Sequence, residues 1–230
     1  MARSASSADA QVLLFDELPA TQAEQAYRIL LEDIVTLRLD PGEVLAEDAL
    51  RERLGLGRTP IREALQRLAS EDLVVVLPRR GVIVSQINVA DLTEIYEVRS
   101  KLEGLAARLA AERFGDGELP PEVAADLALI PEVTDFVALV AVDRRLHKVV
   151  HRLARNRYLF DNLDWYLNLS IRLVLAAARR LPSAPVEEMA ETMADFHDLY
   201  AAIVAHDGDR AEAIASRHAG FSEGMLRRTA

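Results

Sequence analysis

From Thr21 onward, apolar residues recur every three or four positions, at Ala26, Ile29, Leu30, Ile34 and Leu37. This spacing predicts a helix over Thr21–Leu39, opened by a Thr21…Glu24 capping box and closed by Asp40-Pro41-Gly42. Residues 1–20, polar apart from Val12–Phe15, are expected to form a flexible arm. Glu47–Leu54 reads as a short helix and Gly55 and Gly57 as a turn. Thr59 then opens a further helix to about Asp72, with Pro60 in its tolerant first turn and Ile61, Leu65 and Leu68 inward. The period then changes. Two β-branched runs, Leu73–Leu77 and Val82–Val84, flank Pro78-Arg79-Arg80-Gly81 and predict a hairpin, the one convincing β signal in the chain.

Beyond Asn88 the helical period returns. Helices are expected at Asp91–Arg113, Pro121–Ile130, Val133–Arg155, Arg157–Arg180, Val186–His206 and Asp209–Arg228, separated by Gly, Pro and Asn breakers. The expected fold is therefore mainly α. Residues 21–86 form a winged helix-turn-helix with a two-stranded wing, and 90–229 an all-α antiparallel bundle, the handover falling near Ser85–Val89.

Composition narrows the function. The 230 residues include no cysteine, which excludes a disulfide scaffold, a thiolate nucleophile and cysteine-based metal sites. No apolar run approaches the ~18 residues of a membrane span, and the start lacks a sustained apolar core of the secretory kind. A cytoplasmic protein with no membrane partner is the expectation. The net charge of -10 argues against nucleic acid only as an average. Residues 51–80 carry seven Arg against four acids, with Arg58, Thr59 and Arg62 at the start of the second helix of the turn. There the helix dipole favours phosphate, and Arg can read guanine with two hydrogen bonds. A solvated Arg/Glu helix face accounts for the same composition, and composition alone leaves both open.

The wording of the segment goes further. Leu54-Gly-Leu-Gly-Arg-Thr-Pro-Ile-Arg-Glu-Ala-Leu-Gln-Arg-Leu68 strongly resembles the DNA-reading element of the GntR family of bacterial transcription regulators. So do Leu39-Asp-Pro-Gly-Glu-Val-Leu45 before it and Arg79-Arg80-Gly81 after it, the likeness covering 22–85. The resemblance implies operator contacts from Arg58, Thr59 and Arg62, and wing contacts from Arg79, Arg80 and Gly81. Two positions depart from the family pattern. Gly57 stands where Ser or Thr is usual, and Asp72 where Gly is common before the first strand.

The second half holds all five histidines: 147, 151, 197, 206 and 218. Asp143 and His147 are one helical turn apart and share a face. His197 and His218 flank the His206-Asp207-Gly208-Asp209 turn at similar distances, so an antiparallel hairpin brings them level. Together they suggest an Asp-His-His-His site for a divalent metal, Zn²⁺ or Ni²⁺, in the bundle core. A lone histidine on a helix is more often a surface or satisfied core residue.

The pattern also resembles the FCD ligand-binding domain of the FadR-type branch of GntR regulators, over about 91–228. The matching pieces are Tyr96-Glu-Val-Arg-Ser-Lys-Leu-Glu103, Asp143-Arg-Arg-Leu-His147 with Asn156, and His197-Asp-Leu-Tyr-Ala-Ala-Ile203 through Gly208-Asp209 to His218. That resemblance implies metal ligands at Asp143, His147, His197 and His218; His151 matches no ligand position, and His206 suits a helix-end role. It is weakest at 115–135. A small carboxylate effector then has Arg99 and Arg172 as candidate clamps, the alternative for both, and the stronger reading for Arg172, being a pair with a neighbouring acid such as Glu103.

The expectation is a ligand-responsive, homodimeric regulator on a palindromic operator of double-stranded DNA. The alternative is a metal-dependent hydrolase, against which stand the missing HExxH segment and the winged helix left unexplained.

Overall fold

The computed structural model describes residues 21–78, 81–88, 91–115, 117–181 and 184–227; the expected arm 1–20 lies outside them. Helix α1 (Gln22–Val35) starts as its capping box requires, Thr21 accepting a hydrogen bond from the Glu24 N–H at 3.0 Å. Its apolar stripe, Ala26, Leu30, Leu31 and Ile34, meets Ile61, Ala64, Leu65 and Leu68 of α3 (Arg58–Ser70), all almost fully buried. Each such Leu or Ile contributes ~1.5–3 kcal/mol on leaving water. The short α2 (Glu47–Leu54) ends on Gly55 in the left-handed conformation, so α3 leaves at an angle to it.

The sheet differs from expectation. It has three strands in the order β1 (Val44–Leu45), β3 (Gly81–Val84), β2 (Val74–Leu77), all neighbours antiparallel. β1 pairs Val44 with Ile83 and Leu45 with Val82, which drops Leu45 into the core. Two residues are too short to display an alternation, so the strand had no period to read. Gly81 opens β3 opposite Leu77 with φ +87°, where a side chain is strained. Asp72 sits at φ +60°, which is why glycine suits that position; aspartate tolerates the conformation better than most residues.

The second half is an antiparallel bundle of α4 (Asp91–Arg113), α5 (Pro121–Leu129), α6 (Phe136–Leu153), α7 (Arg157–Ala178), α8 (Val186–Met193), α9 (Asp195–Val204) and α10 (Gly208–Arg227), with one 3₁₀ turn at Ile130–Glu132. Asp135 and Asn156 cap α6 and α7 by accepting from the N–H groups of Ala138 and Leu159. α4 and α10 pack closely at Gly104, where an added Cβ would collide with Ser216 Oγ. The single helix expected over Val186–His206 is broken at Ala194 into α8 and α9.

Helix α7 also ties the bundle to the winged head. Trp165, Arg172 and Arg179 are spaced by seven residues and so share one face. Each donates to a head or linker carbonyl: Trp165 Nε1 to Glu71 at 2.9 Å, Arg172 Nη2 to Ser85, and Arg179 Nη2 to Leu37 at 2.7 Å. Among the described residues no helix is long and apolar enough to cross a membrane.

Candidate functional site

Two regions carry the chemistry. In the head, Arg58, Thr59 and Arg62 are all exposed on the first turns of α3. Gly57 precedes them as N-cap without a side-chain cap bond, so the first N–H groups of α3 lack a protein side-chain acceptor there. The two arginines meet acids of α2: Arg58 donates to Asp48 at 3.2 Å, and Arg62 Nε to both oxygens of Glu47 at 2.9 Å. Gly81 is exposed at the wing turn, while Arg79 and Arg80 lie outside the described residues. Gln66, exposed one turn beyond Arg62, extends the same face of α3.

In the bundle, α4, α6 and α10 converge on buried polar groups. Arg99, Glu103, Asp143, His147, His151 and His218 are each at most 7% exposed. Glu103 organises one side: its Oε1 accepts from Arg99 Nε at 3.1 Å, and its Oε2 faces His147 Nδ1 at 3.2 Å and His151 Nε2 at 2.9 Å. Burial opposes the Glu103 carboxylate, but its interactions and hydrogen bonds with His147 and His151 outweigh that and hold it well below the ordinary carboxylate range. For His147 burial dominates and lowers its pKa, against the raising effect of Glu103 and Asp143, so the neutral ring is favoured. A neutral His147 donating Nδ1–H to Glu103 has a bare Nε2, which faces Arg99 Nη2 at 3.4 Å and Asp143 Oδ1 at 3.8 Å.

His218 reaches the same carboxylate: its Nδ1 faces the Thr192 carbonyl at 3.2 Å and its Nε2 faces Asp143 Oδ1 at 3.3 Å, so each ring nitrogen has an acceptor before it. Asp143 is itself held below its ordinary value: burial raises it, and His147, His218 and Arg99 together outweigh that. One ligand atom from each of Asp143, His147 and His218 lies within 4.8 Å of the others. Two imidazoles fixed by their second nitrogens and one ionised carboxylate form a donor set that fits a divalent cation. The cavity between them, about 10 Å³, has room for one ion or water and no more.

His197 does not join them. It is exposed on α9, and the adjacent Phe196 is buried, its ring 5.1 Å from His147 and 4.6 Å from His218 between centroids. One residue along a helix turns a side chain by about 100°, and the break at Ala194 sets the phase of α9 so that Phe196, Leu199, Tyr200 and Ile203 face inward. That apolar spacing was the available signal that 196, not 197, faces the core. Arg99 is at the cluster, paired with Glu103 as its alternative reading had it. Arg172 is elsewhere, lining a cavity between head and bundle. His206 ends α9 at φ +57°, Nδ1 against the Ala111 carbonyl at 3.1 Å.

Comparison with known proteins agrees with both halves. Residues 22–84 match the bacterial regulatory proteins of the gntR family, and 94–221 match the FCD domain. The transcriptional repressor GlaR of Escherichia coli is 30% identical over 203 residues, covering 84% of this chain and 90% of GlaR. The E. coli repressor RspR is 26% identical over 200 residues, covering 85% of this chain and 84% of RspR. Among solved structures, that of E. coli McbR/YncC superposes with a TM-score of 0.73 at 23% identity, covering 91% of this chain and 98% of that one, which bears on fold. These relatives are transcription regulators, not enzymes, so the hydrolase alternative falls away. A winged head with an uncapped, arginine-bearing reading helix and a bundle with a buried His/carboxylate core thus go with sequence likeness across both domains, and the chain belongs to the GntR family of bacterial transcriptional regulators, with an FCD domain as its second half.

Proposed function

We propose that the protein is a homodimeric, ligand-responsive regulator that reads a palindromic operator, acts in the cytoplasm on chromosomal DNA, and senses a small carboxylate at a divalent cation held by Asp143, His147 and His218. The observation that carries the sensing half is the convergence of the two imidazole Nε2 atoms on Asp143 Oδ1, with both Nδ1 atoms committed to Glu103 and Thr192. When bound, such an ion, Zn²⁺ or Ni²⁺, supplies open coordination positions for a carboxylate oxygen.

The chain's own residues do the rest. Arg99 stays anchored on Glu103 through Nε, and its Nη2 is the donor nearest the His147 lone pair, well placed to turn onto an effector carboxylate. A carboxylate does not fit the cavity as it stands. Its entry requires Met189 and Thr192, the walls contributed by α8, to move, and α8 is a short segment set off by the break at Ala194. Thr192 also accepts from His218, so displacing α8 reaches α10 directly. In the head, Arg58, Thr59 and Arg62 read the major groove, and Arg79, Arg80 and Gly81 serve the wing. Two-fold symmetry of the dimer matches operator symmetry. Effector binding shifts the population of head arrangements and so operator occupancy.

Two measurements test this reading. Metal analysis of purified protein should find about one divalent ion per chain, lost in an Asp143→Asn/His147→Ala variant; metal content unchanged in that variant removes the site. A palindrome from the protein's own upstream region should be bound by wild type and lost on Arg58→Ala with Arg62→Ala; retained binding refutes the reading helix.

A further inference from the structure

The α7 stripe leaves one group unexplained. Arg172 is 3% exposed, yet no carboxylate among the described residues lies within ion-pair distance, and its Nε has no hydrogen-bond partner. Its Nη2 donates to the carbonyl of Ser85, in the linker between head and bundle. Burial alone pushes the guanidinium down to about 10, still charged at neutral pH. Proteins rarely bury a cation without an acid, because desolvation is then uncompensated. The other buried arginines of the bundle, Arg99 and Arg144, each have a carboxylate partner.

Arg172 lines a cavity of about 260 Å³ between the head–bundle linker, α4 and α7. At roughly 30 Å³ per water this holds some eight or nine water volumes, suited to a small organic molecule. Ile87, Ile95, Trp165, Leu169 and Leu173 give it apolar walls. Asp72, the acidic residue on the lining, is exposed and makes no ion pair with Arg172. We propose that this junction is a second ligand site, which takes a small monocarboxylate with a flat or branched apolar body, its carboxylate on the Arg172 guanidinium and its body against Trp165. The site is separate from the His/Asp cluster, whose cavity Arg172 does not line. Because Arg172 also holds Ser85, an occupant bears directly on how the linker is fastened to α7.

Trp165 is the chain's only tryptophan and lines this cavity, so its fluorescence responds to an occupant; it also lines the cavity beside Tyr27 and Arg67, from which the Arg172 variants distinguish the site. Phenylacetate titrated into the full-length protein should change the emission saturably, and 2-phenylethanol, equal in body but uncharged, should not. Arg172→Met should weaken phenylacetate at least about tenfold. If that variant does not fold, Arg172→Lys, which keeps charge but lacks Nε, should weaken it several-fold. The Asp143→Asn/His147→Ala variant should titrate like wild type, so this site and the metal reading stand or fall separately. The proposal is overturned by a non-saturable response, by unchanged affinity in the Arg172 variants, by equal binding of 2-phenylethanol, or by loss of the response in Asp143→Asn/His147→Ala alone.

Discussion

Arg62 Nε lies 2.9 Å from both carboxylate oxygens of Glu47, so on the proposed reading α3 meets DNA with its arginine already engaged by an acid of α2. To contact a base or phosphate, Arg62 must exchange that carboxylate. The pair is solvent-exposed, so its net contribution is small and weakens further with salt. Glu47→Gln should therefore tighten operator binding by up to about fivefold at low salt, with a smaller gain as salt rises. Arg62→Ala should instead cost about tenfold or more and relax base preference at one position. Anisotropy titrations on operator and scrambled duplex at two salt concentrations check both. A Glu47→Gln protein that binds more weakly would show that Glu47 positions Arg62 rather than competing for it.

The placement of Phe196 yields a gain-of-function test. Its ring sits against both His147 and His218, in the place where the spacing argument had put a histidine. Phe196→His should add a third imidazole beside Asp143, His147 and His218 and raise Zn²⁺ affinity by about tenfold or more. His197→Ala, an exposed position, should leave metal content unchanged. Competition with a chromogenic chelator measures both. Loss of metal in His197→Ala would mean that α9 rotates to bring His197 inward.

These two cases mark how far the sequence carries. α1 and α3 were legible because long stripes such as Ala26–Leu30–Ile34 and Ile61–Leu65–Leu68 fix both type and facing. Strand β1 was not, since its pairing with β3 is tertiary and Val44–Leu45 shows no period. The break at Ala194 was also hidden: Thr192, Met193, Ala194 and Asp195 include neither Pro nor Gly, and the change of phase that turns His197 outward follows from packing. Within the site, Arg99/Glu103 and His147/His151 are visible as one-turn pairs. That Glu103 binds both histidines depends on α4 meeting α6, which no local spacing reports.

Gly104 sets the approach of α4 to α10. A Cβ there would collide with Ser216 Oγ and stand 3.3 Å from the Glu212 carbonyl oxygen. Alanine gains up to ~1 kcal/mol of helix propensity, but crowding of this kind costs about 1–3 kcal/mol. Gly104→Ala should be destabilising by about 1 kcal/mol, and Ser216→Ala in the same chain should recover most of the loss, since the closest atom is then gone. Urea unfolding of the four proteins of this cycle provides the check. Additive effects of the two changes would place the strain at the Glu212 backbone instead.

Asp164 links α7 to α6 and gives the stability a defined acid limb. Its Oδ1 lies 2.9 Å from Lys148 Nζ and 3.5 Å from Nη2 of the almost fully buried Arg144. Burial tends to raise its pKa, but Arg144 and Lys148 outweigh it and hold the carboxyl below its ordinary 3.8. A carboxyl whose pKa is lower folded than unfolded stabilises above the unfolded value and loses that contribution as pH falls through the folded one. Asp164→Asn removes the counter-charge of the buried Arg144, so at pH 7 it should cost about 1–3 kcal/mol. That deficit should stay level down to about pH 5 and narrow as pH falls below 3.8, where the unfolded chain's carboxyl takes up its proton first and the folded Asp164 only at lower pH. Denaturant unfolding of both proteins across pH 3–7 measures the gap, on the order of 1 kcal/mol at least. A gap that closed already between pH 7 and 5 would assign the dependence to a histidine and not to Asp164.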